Sequence, residues 1–527
     1  MSPMRIERAG REVLAAALLA AISAALVVAA APPAIDAPAH LYRTELVRDG
    51  VHLWDNLWYA GQYPLASYSF LYYLPAAVVG NVPLVVASVI VSAAVFASLL
   101  YHEWGEIGRW PARAYGILAG GPLLTGTYSY ALGLTCLLGG LRALQLGRPR
   151  LAILLAALTL GFSPLAFVFL CLVLLAVACS RRRLGSRKLV LALVGIGGLQ
   201  LLALALFPVE TEYPFGIWPL LGVLTTSVLG VAIAARAERR GALLAFFLLW
   251  GIVCVAAFFV PTPLGSNLTR LRFFVFPLGL LTVLLTGFRP RLLTAVGLAL
   301  GLTYTLTPYL SILPNRSESR AAAETFWRPA VEYVRSRAAP SYRVEVVPTY
   351  DHWEAYWLPR AGIPLARGWY RQLDLAQNSA LYSTSLTAPG YRAWLRRNGV
   401  RFVLLPETRL DALGAAHEAS LLRSGRSGLV RVFTSRTTTI WELPQATPIL
   451  SGNAPARLTV LEHERMSGWT AAAGDYLLRV RYTPYWHASG TAACLRRTDD
   501  GLTRIRTSRR GAFTLTAGFR DGVATCG

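Results

Sequence analysis

Lysine is almost missing from this chain. Lys188 is the only one among 51 basic residues, so arginine carries nearly all the positive charge. Acids are scarce as well, 28 against those 51, which leaves a formal net charge of +23. In a soluble protein that excess would point to nucleic acid. Here only 15% of residues are charged and 54% are hydrophobic. The arginines stand between long apolar runs, where membrane topology places them, so no nucleic acid partner is expected. Cysteine is sparse and unclustered. Cys136, Cys171, Cys179 and Cys254 fall inside apolar runs as small core residues, and no C-x-x-C pair or Cys/His array offers a zinc site. Cys494 and Cys526 lie in the polar C-terminal part, where an extracytoplasmic location would allow one disulfide. There is no P-loop, GxGxxG turn or nucleophile triad, so no nucleotide or nicotinamide cofactor is expected.

What the chain has in abundance is apolar sequence in runs of helix-spanning length, about 17–25 residues. The first, Val13 to Ala31, follows a short basic stretch holding Arg5, Arg8 and Arg11. A signal peptide competes as a reading of it, but its length and the many later spans favour an uncleaved helix with a cytoplasmic N-terminus. Ten more segments follow: 82–101, 114–126, 128–146, 151–162, 164–179, 189–207, 217–235, 242–260, 273–287 and 292–310. Eleven crossings put the two termini on opposite sides. Arg109, Arg113, Arg148, Arg150, Arg181 to Arg183, Arg236, Arg239, Arg240, Arg289 and Arg291 all fall on the side assigned to the cytoplasm. Arg270 and Arg272 break that register.

The expected architecture is a polytopic α-helical membrane protein of about eleven spans, residues 1–311, with a long first outer segment at 32–81. An extracytoplasmic α/β region at 312–446 and a β-rich domain at 447–527 complete it. Helix over Ser319 to Arg337, strand over Tyr342 to Val347, helix over Tyr391 to Asn398 and strand from Arg401 to Pro406 make the α/β unit. Alternation in Tyr476 to Thr483, Thr503 to Thr507 and Ala512 to Thr516 reads as a β-sandwich. The protein is thus expected in the cell membrane, its C-terminal part outside.

The candidate site begins directly after the first helix, at Asp36-Ala37-Pro38-Ala39-His40-Leu41-Tyr42-Arg43. Asp36 and His40 are four apart and share a face if the segment is helical. The carboxylate there can serve as a general base, or hold a divalent cation such as magnesium or manganese together with His40. It can equally cap the next helix, with Pro38 in the first turn. Ala39 to Asp49 has the spacing of an amphipathic helix, and a second helix in this segment is expected at the headgroup plane. Asp55 between Trp54 and Trp58 is the second candidate acid. Trp54, Trp58, Tyr72 and Tyr73, with Arg43, form an aromatic surface that suits either sugar binding or the membrane interface. Glu210 and Glu212 face the same side. Arg270 and Arg272 suit a phosphate, or pair with those glutamates or with headgroups. His352, in Pro348 to Glu354, and the Arg367 to Asp374 stretch are dense in groups that bind hydroxyls.

Asp36 after the first helix, the aromatic first outer segment and the many helices with a C-terminal outer domain resemble the GT-C superfamily of membrane glycosyltransferases. The pattern Asp36-x-x-x-His40, Trp54, Gly61, Tyr72-Tyr73-Leu74-Pro75, with Arg270 to Pro277 and Asn398 to Val403, is similar to bacterial membrane proteins named as 6-pyruvoyl-tetrahydropterin-synthase-related. The zinc-binding histidines of the soluble synthases have no counterpart, so no pterin chemistry is implied. The superfamily resemblance implies a polyprenyl-phosphate-linked sugar as donor, a cell-envelope glycan or glycolipid as acceptor, and membrane lipids around both. It implies Asp36 as catalytic base and Arg270 or Arg272 on the lipid phosphate. Asp36 is followed by alanine where many relatives have a second acid. A transporter or flippase would call for ionisable residues in mid-span, where only Arg142 approaches, and for inverted repeats. A non-catalytic scaffold presenting the C-terminal part to cell-wall polymers is the third possibility.

Overall fold

The computed structural model describes residues 3–66, 68–181, 186–209, 211–237, 241–312, 320–338 and 340–519. They divide into two compact units. One comprises Met1–Ala34 with Tyr68–Arg316, the other Ile35–Ser67 with Ser317–Gly527. Residues 35–67 therefore group with the C-terminal part of the chain, whereas composition had placed them with the helices.

The first unit is helical. Helix α1 (Pro3–Ala30) shows two contrasting stripes. Ala16, Ala20 and Ala24 are fully buried at four-residue spacing, while Leu14, Leu18, Ile22 and Leu26 are exposed. The small residues let the helices Asn81–Trp104 and Arg109–Leu118 approach closely, and the exposed side chains call for lipid rather than water. A helix occupies each of the eleven expected positions, but among the described residues only eight helical stretches are long and apolar enough to cross a membrane. The remaining expected positions fall short of those measures in length or polarity. Pro149–Phe162 has 14 residues, which span about 21 Å against a hydrocarbon core of about 30 Å. Tyr128–Gln145 carries Arg142 and Gln145, and 81–125 counts as one stretch.

The second unit starts with α2 (Ala37–Arg48). An amphipathic helix was expected here. The observed one is buried on most sides, with Ala37 to His40, Tyr42 to Thr44 and Leu46 all inside, and it packs on the helix Glu354–Arg360. The expected second helix of this segment is Tyr73–Val79, seven residues long and part of the first unit. Trp54, Trp58 and Tyr59 are also buried, so these rings form a core and not an interfacial belt.

The α/β region is a mixed sheet of β1 (Arg343–Val346), β2 (Val400–Pro406), β3 (Val430–Thr434) and β4 (Thr438–Glu442) in the order β1-β2-β4-β3. β1 and β2 run parallel, and the remaining pairs are antiparallel. Tyr391, Trp394 and Leu395 from the helix Ala388–Arg397 cover Val403 and Leu405 of β2. The apolar stretch after Asn398-Gly399 is therefore a central strand, as its composition suggested.

Eight further strands follow: β5 (Leu450–Gly452), β6 (Ala456–Leu461), β7 (Arg465–Thr470), β8 (Gly474–Arg481), β9 (Trp486–Gly490), β10 (Ala492–Arg497), β11 (Leu502–Thr507) and β12 (Gly511–Ala517). They form two four-stranded antiparallel sheets, ordered β10-β11-β8-β5 and β6-β7-β12-β9. In β8, Tyr476, Leu478 and Val480 are buried in alternation, and in β12 Phe513 and Leu515 are. Two one-sided sheets are the layers a β-sandwich requires. Cys494 of β10 is disulfide-bonded, while Cys136, Cys171, Cys179 and Cys254 are free. Cys526 lies outside the described residues.

Candidate functional site

Asp36 stands at the N-cap position of α2, half-buried, with Pro38 in the first turn. Its side chain makes no capping hydrogen bond. The cause is in the backbone: φ −86° and ψ −2° are already helical, whereas a capping side chain needs an extended residue to reach the N–H groups ahead. The His40 N–H donates to the Asp36 carbonyl at 3.3 Å, which confirms the four-residue helical spacing. His40 is almost wholly buried and Arg43 completely so. The Arg43 guanidinium lies 5.9 Å from the Trp58 ring centre and 5.4 Å from that of Tyr370. Asp36 and His40 offer two donors to a cation. Among the described residues no group of three or more His, Cys, Asp and Glu side chains is placed to hold a metal, so no step is routed through one.

Asp55 is fully buried and heavily engaged. Tyr42 donates its hydroxyl to both carboxylate oxygens at 3.2 and 3.1 Å, the Leu57 N–H donates at 3.0 Å and Gln62 Nε2 at 3.3 Å. His463 Nδ1 is 2.9 Å from Oδ1. Burial opposes protonation of His463, but the hydrogen bond and charge of Asp55, with Asp49 and Glu464, hold its pKa above the usual value. His463 lies in the turn of the β6–β7 hairpin, which also grips the rest of the segment. Glu464 Oε1 accepts the N–H groups of His52, Leu53 and Trp54, and Asn56 Nδ2 donates to the Glu462 carbonyl.

Asp55 and Gln62 pair as a short antiparallel bridge, closed by Tyr59 and Ala60 at positive φ and by Gly61. Gly61 is required, because a Cβ there would collide with the Trp54 indole. The turn presents Trp58, fully buried, stacked on Tyr42 at 4.5 Å and donating Nε1 to the Ala355 carbonyl at 3.0 Å. Its indole covers Gly368, where a Cβ would lie 2.5 Å from Trp58 Cδ2. The expected aromatic residues thus reach the C-terminal stretch that also contains His352.

His352 has a left-handed backbone, φ 56°, unusual for any residue but glycine, asparagine or aspartate. Its ring stacks on Trp369 with centroids 3.4 Å apart and planes 10° from parallel. Nδ1 lies 3.2 Å from Glu354 Oε1. The Thr349 N–H and Oγ1 donate to that carboxylate at 3.3 and 2.5 Å. Nε2 of His352 is buried without a hydrogen-bond partner. His352, Glu354 and Trp369 line a small cavity of about 10 Å³, room for one water, together with Arg367 and Asp374. Arg367 is itself buried. It holds Asp374 through two hydrogen bonds of 3.0 and 2.5 Å, and lies 3.5 Å from both Glu345 and Glu418. Tyr382 donates to Asp374, and Tyr391 to Glu418. Burial raises the Glu418 carboxyl to about 7 although Arg367 and Tyr391 oppose it, while Glu345, buried beside Glu418, is also raised. Burial works against ionisation of Asp374 too, but Arg367, Tyr382 and Asn378 bring its pKa below the usual range.

In the helical unit, Tyr72 and Tyr73 are buried edge to face at 5.2 Å, and Tyr72 donates to Asn81 Oδ1 at 2.7 Å. Glu212 is exposed in the connection before Ile217–Ala234. Glu210 lies outside the described residues. Arg270 sits in the 3-10 segment Gly265–Leu271, and Arg272 opens the helix Arg272–Leu285. Arg272 Nε is buried without a hydrogen-bond partner, as is the Tyr304 hydroxyl. Thr305, next to Tyr304, donates Oγ1 to the Arg272 carbonyl at 2.7 Å. Sequence reasoning missed Tyr42, His463, Glu345 and Glu418. Nothing near Asp55 in the chain announces a histidine in a distant hairpin, and the acids around Arg367 come from a strand and two separate helices.

No family model matches the chain, and no curated protein matches it. Among solved structures it is similar to the crystal structure of ArnT from Cupriavidus metallidurans in the apo state, at 12% identity over 78% of this chain and 93% of that one, with a TM-score of 0.38. Superposition that loose fixes neither residue correspondences nor activity.

Proposed function

We propose that this protein is a membrane glycosyltransferase that moves a sugar from a polyprenyl-phosphate donor to an extracytoplasmic cell-envelope glycan or lipid, with inversion. The acceptor hydroxyl loses its proton to the Asp36 carboxylate as its oxygen bonds to the anomeric carbon. The bond from that carbon to the phosphate oxygen breaks, and polyprenyl phosphate leaves with the electron pair. Arg272, with Arg270, neutralises the leaving phosphate. Asp55 is left to hold the fold, since its oxygens already accept from Tyr42, Leu57, Gln62 and His463.

The observation that carries this reading is Arg272. A guanidinium Nε and the Tyr304 hydroxyl, both buried without hydrogen-bond partners in an apolar helical unit, suit an acceptor-rich anion such as a phosphate. Asp36, half-buried at the start of α2 and six residues beyond the end of α1, supplies the carboxylate in this reading. The test is transfer of radiolabelled sugar from polyprenyl phosphate by protein in liposomes, with cell-envelope glycan as acceptor. Asp36→Asn should lower transfer by about 10²–10⁴-fold, the usual contribution of a general base, with Tm unchanged. Arg272→Ala should weaken use of the donor. Undiminished transfer by Asp36→Asn would sink the catalytic assignment.

A further inference from the structure

His352 keeps a left-handed backbone, and its ring is fixed from two directions, by the Trp369 face and by the Glu354 carboxylate, which Thr349 holds in turn. With Nδ1 engaged on Glu354, the one polar ring atom left over is Nε2. That atom is buried without a hydrogen-bond partner, in a residue only 3% exposed. A polar atom taken out of water with no partner is destabilising, so its place in a folded core calls for a cause. Here the same residue lines a closed-in space of about 10 Å³, shared with Glu354, Arg367 and Asp374.

We propose that this cavity is the site of one buried water molecule, hydrogen-bonded to His352 Nε2. Volume selects the ligand first. Space of about 10 Å³ holds a single water, which excludes a sugar, a phosphate or a hydrated cation. Charge selects it next. Arg367 is already engaged by Asp374, Glu345 and Glu418, with Glu354 close by on His352. An anion would meet a surplus of acids, and a bare cation would sit against the guanidinium. Water brings no charge. It also suits either form of the ring, donating to Nε2 of a neutral imidazole or accepting from the Nε2–H of an imidazolium. A buried water needs two to four polar partners, and its remaining hydrogen bonds fall to the polar lining, Glu354, Arg367 and Asp374. Every residue of the site lies between Val346 and Asp374, so the water stands without the transferase reading.

The test is an experimental structure of the full chain in a lipid environment, at a resolution that shows ordered solvent. One solvent peak should lie about 2.7–3.2 Å from His352 Nε2. A well-ordered cavity with no peak, or a peak out of reach of Nε2, would overturn the proposal. Solid-state NMR of protein with isotope-labelled histidine in liposomes reads the same contact independently. The Nε2 resonance of His352 should receive polarisation from water protons, and His352→Asn should remove that signal. Asparagine is the variant of choice because it tolerates the left-handed backbone. A His352 Nε2 signal with no transfer from water counts against the site. The solvent peak is read on wild-type protein, so the proposal stays testable if the variant fails to fold.

Discussion

Asp55 Oδ1 and His463 Nδ1 lie 2.9 Å apart although 408 positions separate them in the chain. That contact explains why residues 35–67 fold with the C-terminal part. A carboxylate taken out of water must have its lone pairs filled, and Asp55 meets this with donors from α2, from its own turn and from the β6–β7 hairpin. Removing it would leave several donors stranded at once. An acid foreseen as catalytic therefore closes a loop of several hundred residues.

The first prediction concerns pH. Because the folded pKa of His463 is raised above the ordinary 6.5, the imidazolium contributes stability that is complete below 6.5 and lost as pH rises through the folded value. Thermal unfolding between pH 6 and 9 should show Tm falling on the alkaline side in wild type. His463→Gln should lack that fall. A parallel curve for the variant would remove His463 as the titrating group.

Glu418 predicts an effect in a lower window. The unfolded carboxyl releases its proton near 4.5 and the folded one at about 7, so the folded state binds more protons in between. Stability then declines as pH rises from 4.5 to 7 and stays lower above it. Glu418→Gln keeps an acceptor for Tyr391 and removes the buried charge. At pH 8 it should melt higher than wild type by several degrees, with a flatter pH profile. A lower Tm for the variant at pH 8 would show that the Arg367 pairing outweighs desolvation.

Gly368 tests the packing of the aromatic turn. A methyl group there would press on Trp58 at 2.5 Å, and the indole is fully buried with no space to yield. Gly368→Ala should cost about 1–3 kcal/mol, the usual range for overpacking, seen as a lowered Tm. Trp58→Phe combined with it should recover part of the loss, since the smaller ring vacates the collision. If the single variant melts like wild type, the turn is looser than described.

Much of this protein was legible before any coordinates. Span-length apolar runs, the strand after Asn398-Gly399 and the alternation from Tyr476 onward are local patterns, and local patterns follow from backbone hydrogen bonding and the period of side-chain burial. The change in composition near Ser311 belongs to the same class. Span count was less secure, because a 14-residue apolar helix and a full crossing differ in length but not in character.

The site divides along the same line. Asp36 after the first helix and Arg272 against the charge register could be named from position alone, since each is defined by its distance from an apolar run. The partners of Asp55, the strained His352 and the acids around Arg367 could not. They come from a strand, two short helices and a hairpin turn, and from a turn whose aromatic residues read, in one dimension, as a membrane interface. Burial and hydrogen-bond satisfaction are properties of surroundings, and surroundings come from segments hundreds of residues away. Residue chemistry is written along the chain; which carboxylate is half-buried at a helix start and which is fully enclosed depends on what packs against it.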